Sequence, residues 1–148
     1  MDEKTILLVE DNPDDEELIL LSLEESRVKN KVVVVHDGAE ALDYLFCTGQ
    51  YSDRDPDQLP EVVLLDLKLP KLDGHQVLER IRAHPRTRLL PVVILTSSDT
   101  EKDIVRSYER GANSYVRKPL DFGEFSEAIK QLGLYWVIMN VSASGPGQ

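Results

Sequence analysis

The sequence predicts a doubly wound α/β domain built on a five-stranded parallel sheet. Three observations predict it. Four short apolar runs, Ile6–Val9, Val32–Val35, Val62–Leu65 and Val92–Leu95, are continuous rather than alternating, as suits strands covered on both faces. Segments with helical spacing and helix start signals lie between the runs. The two kinds of segment alternate along the chain, which implies a parallel sheet with helices on both sides.

Taken in order, each element has a local reason. After Ile6–Val9, Asn12 can cap a helix that begins at Pro13, where no donor is needed. Asp14, Asp15, Glu16 and Glu17 fill its first turn, a place favoured by the helix dipole, and read as a mostly solvated helix start. Gly38 precedes a second helix with Ala39, Leu42 and Phe46 on one face. Asp73 and Gln76 form a capping box ahead of Val77, Leu78 and Ile81. Ser98 and Glu101 suggest another ahead of Ile104, Val105 and Tyr108, and Gly111 is a natural stop. A fifth strand is expected at Ser114–Arg117, followed by a helix opened by Asp121 and Glu124, with Phe125, Ile129 and Leu132 at helical spacing. Right-handed crossovers leave few topologies for five such units. The favoured one is the flavodoxin-like (βα)5 three-layer sandwich with strand order 2-1-3-4-5, whose crevice lies at the carboxyl ends of strands one and three. Gly49–Pro60 is a long polar connection, Leu134–Val141 an apolar stretch past the last helix, and Ser142–Gln148 a polar tail. The expected division is a domain over 1–133 and a C-terminal arm with a disordered tail over 134–148.

Composition narrows the function. The chain has 148 residues, the size of one domain. With 17 basic and 27 acidic side chains its formal charge is 17 − 27 = −10, which repels nucleic acid phosphates and anionic lipid heads and sets both aside as direct partners. Cys47 is the single cysteine, so neither an internal disulfide nor a cysteine-built zinc site is available; it reads as a helix-packing thiol. No apolar run approaches the roughly 20 residues of a membrane helix, and no signal peptide opens the chain, so a cytoplasmic location is expected. His36, His75 and His84 are scattered without metal-ligand spacing.

The crevice then selects the chemistry. Strand one ends in Glu10-Asp11 and strand three in Asp66. Taken singly, each reads as a solvated loop residue or a cap. As neighbours they need a neutralising partner, because like charges raise one another's pKa. A divalent cation is such a partner, and oxygen-only ligands favour Mg²⁺ over zinc. Strand four ends in Thr96 and strand five in Lys118-Pro119. A hydroxyl and an ammonium therefore join the carboxylates, a set suited to phosphoryl transfer onto Asp66, with Lys118 and the metal offsetting phosphoryl charge and Thr96 donating a hydrogen bond.

On these residues the sequence resembles the receiver domain of two-component response regulators. The likeness is carried by Glu10-Asp11 after ILLV, Asp66 in LLDLKLPKLDG, Thr96 in VVILTSS and Lys118-Pro119 in GANSYVRKP, and it covers about residues 4 to 133. It implies that Asp66 accepts phosphate from a histidine kinase. It also implies that Asp11 and Asp66 bind Mg²⁺ directly with the Lys68 carbonyl, and that Glu10 acts through a coordinated water. Thr96 and Tyr115 would form the switch pair, Lys118 the phosphate contact across a cis Lys118–Pro119 bond, and Lys68 and Ser98 would tune the phosphate lifetime. Phosphorylation would reshape the helix 4/strand 5/helix 5 face, making the protein a phosphoacceptor switch with intrinsic self-phosphorylation and autodephosphorylation rather than an enzyme. One departure stands out: Glu10 occupies a position where Asp is commoner, and its longer reach can shift the metal geometry.

Only LYWVIMNV and a short tail follow the last helix, so a stand-alone receiver is expected. CTGQYSDRDPDQLPE, IVRSYERGANSYVRKP and the terminal YW resemble the single-domain regulators that partner bacterial and cyanobacterial phytochrome kinases. Trp136, Ile138, Met139 and Val141 follow a helix that already completes the fold. Burying each is worth roughly 1.5–3 kcal/mol, which favours a homodimer in which each arm covers its neighbour, the alternative being an arm folded back on its own domain. Three other readings stand beside this one. An aspartate-nucleophile phosphatase needs an acid two residues past Asp66, where Lys68 stands; a flavin module needs a phosphate cradle where EDNPDDEE stands. A relay or sink receiver for an unrelated kinase would carry the same residues.

Overall fold

The computed structural model describes residues 5–25, 31–97, 100–118, 123–124 and 127. Ser98, Pro119, the body of the expected last helix and the expected arm over 134–148 lie outside the described residues.

Five parallel strands form one sheet: β1 (Thr5–Val9), β2 (Lys31–Val35), β3 (Val62–Leu65), β4 (Val92–Thr96) and β5 (Ser114–Arg117), in the order β2-β1-β3-β4-β5. Four helices connect them: α1 (Pro13–Glu25), α2 (Gly38–Phe46), α3 (Gly74–Ala83) and α4 (Glu101–Glu109). The register is in step across the sheet, with Val9 opposite Val35 and Leu65, and Leu65 opposite Ile94. The strand tips therefore end on one edge.

Continuous apolar strands bury both faces because successive side chains point to opposite sides. Leu7, Val9, Val63, Leu65, Val92 and Ile94 pack with Leu42, Leu45, Val77, Leu78 and Ile81 of α2 and α3. Ile6, Leu8, Val62, Leu64, Val93 and Leu95 pack with Ile19 and Leu23 of α1. The two cores lie back to back across the sheet and leave its carboxyl edge for polar groups.

The helix starts follow side-chain chemistry. The Asn12 side chain accepts from the Asp14 and Asp15 backbone N–H groups. Asp73 and Gln76 close the expected capping box. Two starts differ from expectation by a residue or two. Gly38 is the first residue of α2, and Asp37 caps it through the Glu40 N–H. Thr100, not Ser98, caps α4 by accepting from the Asp103 N–H; a threonine hydroxyl three residues before an N–H satisfies that donor as well as the serine two residues earlier would. Gly111, at φ +94°, closes the turn after α4. The connection after α2 holds a short 3-10 turn at Gly49–Tyr51. Arg54 organises it by donating to the Tyr44 carbonyl, Cys47 Sγ and the Gln58 carbonyl. Cys47 is a half-buried packing thiol at the α2 C-cap.

The loop that carries Asp66 onward into α3 is wedged between two glycines. A Cβ on Gly74 would lie 2.3 Å from the Asp66 carbonyl oxygen, and one on Gly38 would lie 2.1 Å from the Leu72 carbonyl oxygen. Hydrogen alone fits at either place, so α2 and α3 start hard against the loop behind Asp66.

Candidate functional site

Four of the five strand tips deliver the reactive groups. Glu10 and Asp11 follow β1, Asp66 follows β3, Thr96 ends β4 and Lys118 follows β5. The Asp66 N–H donates to the Val9 carbonyl and the Lys118 N–H to the Thr96 carbonyl. The sheet ladder thus extends one residue past the strands and fixes the site's backbone.

Lys118 is the hub. Its Nζ donates to Glu10 Oε1 at 2.5 Å, to Asp15 Oδ2 at 2.8 Å and to Asp66 Oδ2 at 2.9 Å. Asp66 Oδ1 accepts from the Lys68 N–H at 3.1 Å, and the Thr96 hydroxyl also hydrogen-bonds the carboxylate. Glu10 Oε2 accepts from the Asn12 N–H. Glu10, Asp66, Thr96 and Lys118 are buried, whereas Asp11 and Lys68 are exposed at the mouth. One carboxylate oxygen from each of Glu10, Asp11 and Asp66 lies within 4.8 Å of the other two. Three hard oxygen donors at that spacing fit a divalent cation of the Mg²⁺ or Mn²⁺ kind.

The electrostatics separate the two buried acids. Burial pushes Glu10 from its ordinary 4.5 up to about 7, against the pull of its hydrogen bond with Lys118. Burial works on Asp66 in the same direction, but the Lys118 charge and the hydrogen bonds from Lys118, the Lys68 N–H and Thr96 outweigh it. They hold the carboxyl below its usual range. Burial also disfavours the Lys118 ammonium, yet its carboxylate partners Asp15, Glu10 and Asp66 raise it above its ordinary value. At neutral pH the site thus presents an ionised Asp66 under a permanent positive charge, a poised nucleophile.

The structure places Glu10, Asp11, Asp66, Lys68, Thr96 and Lys118 at the same edge of the sheet. Tyr115 is half-buried and packs against the α2/α3 core face beside Ile94. Ser98 and the arm residues Trp136, Ile138, Met139 and Val141 lie outside the described residues. One site residue was missed. Asp15, expected to be solvated with its acidic neighbours, turns inward to Lys118. Nothing in the spacing of the four acids at that helix start sets Asp15 apart; the position of Lys118 does. His75 is also more than a scattered histidine. It is buried, and its Nε2 lies 3.1 Å from Asp103 Oδ1, tying the start of α3 to α4. A cavity of about 500 Å³ opens beside this pair and is lined by Asp11, Lys68 and Arg106 among others.

Known proteins are similar to this chain in sequence and fold. AtBRR, a bacteriophytochrome response regulator of known structure, is 52% identical and superposes with a TM-score of 0.76 over 95% of this chain and 100% of its own. Response regulator Rcp1 of Synechocystis sp. is 34% identical over 134 residues, 90% of this chain and 89% of its own. Its Mn²⁺-bound structure superposes with a TM-score of 0.87 over 94% of this chain and 98% of its own. A probable methanogenesis regulatory protein of Methanothrix harundinacea, FilR2, is 40% identical over 137 residues, 93% of this chain and 86% of its own. The acidic cluster and the Mn²⁺-bound relative both point to divalent metal binding. Residues 6–130 match the response regulator receiver domain, and with the strand order and the strand-tip carboxylates already in place, the chain belongs to that family.

Proposed function

We propose that this chain is a single-domain response regulator that accepts a phosphoryl group from a sensor histidine kinase on Asp66 with the help of Mg²⁺. The observation that carries the reading is the Asp66 carboxylate itself. It is buried at the tip of β3, kept ionised by Lys118, and gripped by the Thr96 hydroxyl and the Lys68 N–H. In the transfer, an Asp66 oxygen forms a bond to phosphorus. The bond from phosphorus to the donor imidazole nitrogen breaks, and its electron pair returns to the ring. Asp11 and Asp66, with the Lys68 carbonyl, would hold Mg²⁺ directly, and Glu10 would act through a coordinated water. When bound, Mg²⁺ supplies positive charge to the phosphoryl oxygens. Lys118 supplies a second positive charge, and the Thr96 hydroxyl trades its bond with Asp66 for one with a phosphoryl oxygen. That movement vacates space for Tyr115 and reshapes the face of α4, β5 and the helix that follows. Lys68, exposed at the mouth of the site, and Ser98, two residues past Thr96 in sequence, would tune how long the phosphate stays. The protein acts as a switch, with self-phosphorylation and autodephosphorylation as its intrinsic chemistry, in the cytoplasm.

Incubation with acetyl phosphate and Mg²⁺ tests this. One labile phosphate per chain is expected, none in Asp66→Asn and none with EDTA, read by intact mass and acid-quenched radiolabel. Retention of label in Asp66→Asn overturns the assignment.

The 52% identity to AtBRR supports a phytochrome-type kinase as the partner and light as the input. The 40% identity to FilR2 supports a second reading, in which the same receiver chemistry serves a kinase outside light signalling, as relay or sink. Phosphotransfer profiling against the histidine kinases of the source organism separates them: fastest transfer from a phytochrome kinase is expected, and none from it favours the second reading. We also propose that residues 134–148 form an arm that pairs two copies, from the large apolar groups at Trp136, Ile138, Met139 and Val141.

A further inference from the structure

Lysine has three N–H donors and no acceptor. In this protein all three are committed, one each to Glu10, Asp15 and Asp66. An incoming phosphoryl group needs the same ammonium. Lys118 therefore contacts a phosphoryl oxygen by letting one carboxylate go.

The three carboxylates differ in what release would cost them. Glu10 is 1% exposed, and its other oxygen is tied to the Asn12 N–H. Set loose, it would be a buried carboxylate without its cation, an expensive state. Asp66 carries the phosphoryl group and stays by definition. The Asp15 side chain is 31% exposed and sits in the first turn of α1. It swings to water at small cost, and the helix N-terminus favours its charge there. Its bond to Lys118 is also the single polar contact its carboxylate makes among the described residues.

From this geometry, and resting on the phosphoacceptor role proposed above, we infer that Asp15 is a positioning residue, the exchangeable third acceptor of Lys118 that an Asp66-bound phosphoryl oxygen displaces. Asp15 holds Lys118 over the nucleophile in the resting state and then competes with the phosphoryl group for it. It opposes phosphorylation twice, by occupying a donor and by adding a negative charge that repels an anionic donor. Removing the charge while keeping the shape favours the phosphorylated state.

The test compares wild type, Asp15→Asn, Asp15→Ala and Asp66→Asn as full chains at saturating Mg²⁺, which removes any effect on metal affinity. Two readouts are taken: the dissociation constant for beryllium trifluoride, a phosphoryl mimic, by calorimetry, and the decay of the acetyl phosphate-derived label. Asp15→Asn is expected to bind the mimic about three- to tenfold more tightly and to keep its label longer by a similar factor, as befits loss of one nearby charge. Asp15→Ala should do the same. The gain should shrink between 50 mM and 500 mM salt, because a half-exposed charge is screened, and a merely structural effect would not follow salt. Unchanged or weaker mimic binding in Asp15→Asn, with Asp66→Asn still unlabelled, overturns the inference and leaves the phosphoacceptor reading standing. Label in Asp66→Asn overturns that reading instead. Thermal melts identify a folding defect in Asp15→Ala, in which case Asp15→Asn decides.

Discussion

Glu10 shows how one side chain couples the site to the stability of the fold. Its folded value of about 7 lies above the ordinary 4.5 because burial opposes its charge. Between those two pH values the folded chain holds a proton that the unfolded chain has released. Folding then takes up a proton, and stability falls as pH rises through that window. The displacement corresponds to about 3 kcal/mol at most. Asp66 acts in the opposite sense and elsewhere: its folded value lies below 3.8, so the stability it contributes is lost only as pH falls below 3.8. In EDTA, the melting temperature should therefore drop between pH 5.5 and 7.5, and Glu10→Gln should flatten that drop. Equal slopes in the two proteins would contradict the assignment. Adding Mg²⁺ should restore stability most at the upper end, where Glu10 is charged and ligand binding stabilises the folded state. At this scale the site was largely legible, since Glu10, Asp11, Asp66, Thr96 and Lys118 each end a strand. Asp15 was not, because a run of four acids at a helix start looks alike from outside. Only the position of Lys118 picks out the one that turns in.

Among the elements, α3 and α4 have the clearest consequences. Gly74 lets α3 begin against the backbone of Asp66. Gly74→Ala must push Asp66 or α3 aside. It should cost stability by about 1–3 kcal/mol and lower the yield of Asp66 phosphate at saturating donor, measured by denaturant midpoint and label; a normal yield would show that the loop gives way without moving Asp66. Thr100→Ala should destabilise by about 1 kcal/mol through loss of the α4 cap, with little change in labelling, because Thr100 caps α4 from outside the phosphoacceptor cluster. Arg82 is the clip that holds this side together. Its guanidinium donates to the Gly111 and Leu90 carbonyls and to Asn113 Oδ1, which in turn accepts from the Val92 N–H. The strands were legible nearly to the residue because continuous Val/Ile/Leu runs leave little choice. Helix starts slipped by one or two residues, at Asp37 and Thr100, because several adjacent residues can cap and the winner depends on where the preceding strand delivers the chain. The Arg82 clip and the His75–Asp103 tie join distant segments and leave no local pattern to read.

For the whole molecule, strand order was legible because alternation and crossover handedness exclude most alternatives. No helix among the described residues is long and apolar enough to cross a membrane. The proposed pairing of two copies makes a separate prediction. Light scattering at micromolar concentration should report a dimer for the full chain and a monomer after truncation at Gly133, with Asp66 labelling retained in both. A monomeric full chain would remove the arm from the account. The join between Lys118 and Glu10 has a consequence of its own. These two residues touch across 108 positions of sequence, so no shorter piece of the chain holds Glu10 and its cation together. On the proposed phosphoacceptor role, Asp66 and Glu10 lack their shared cation until β5 has joined the sheet and brought Lys118 to them.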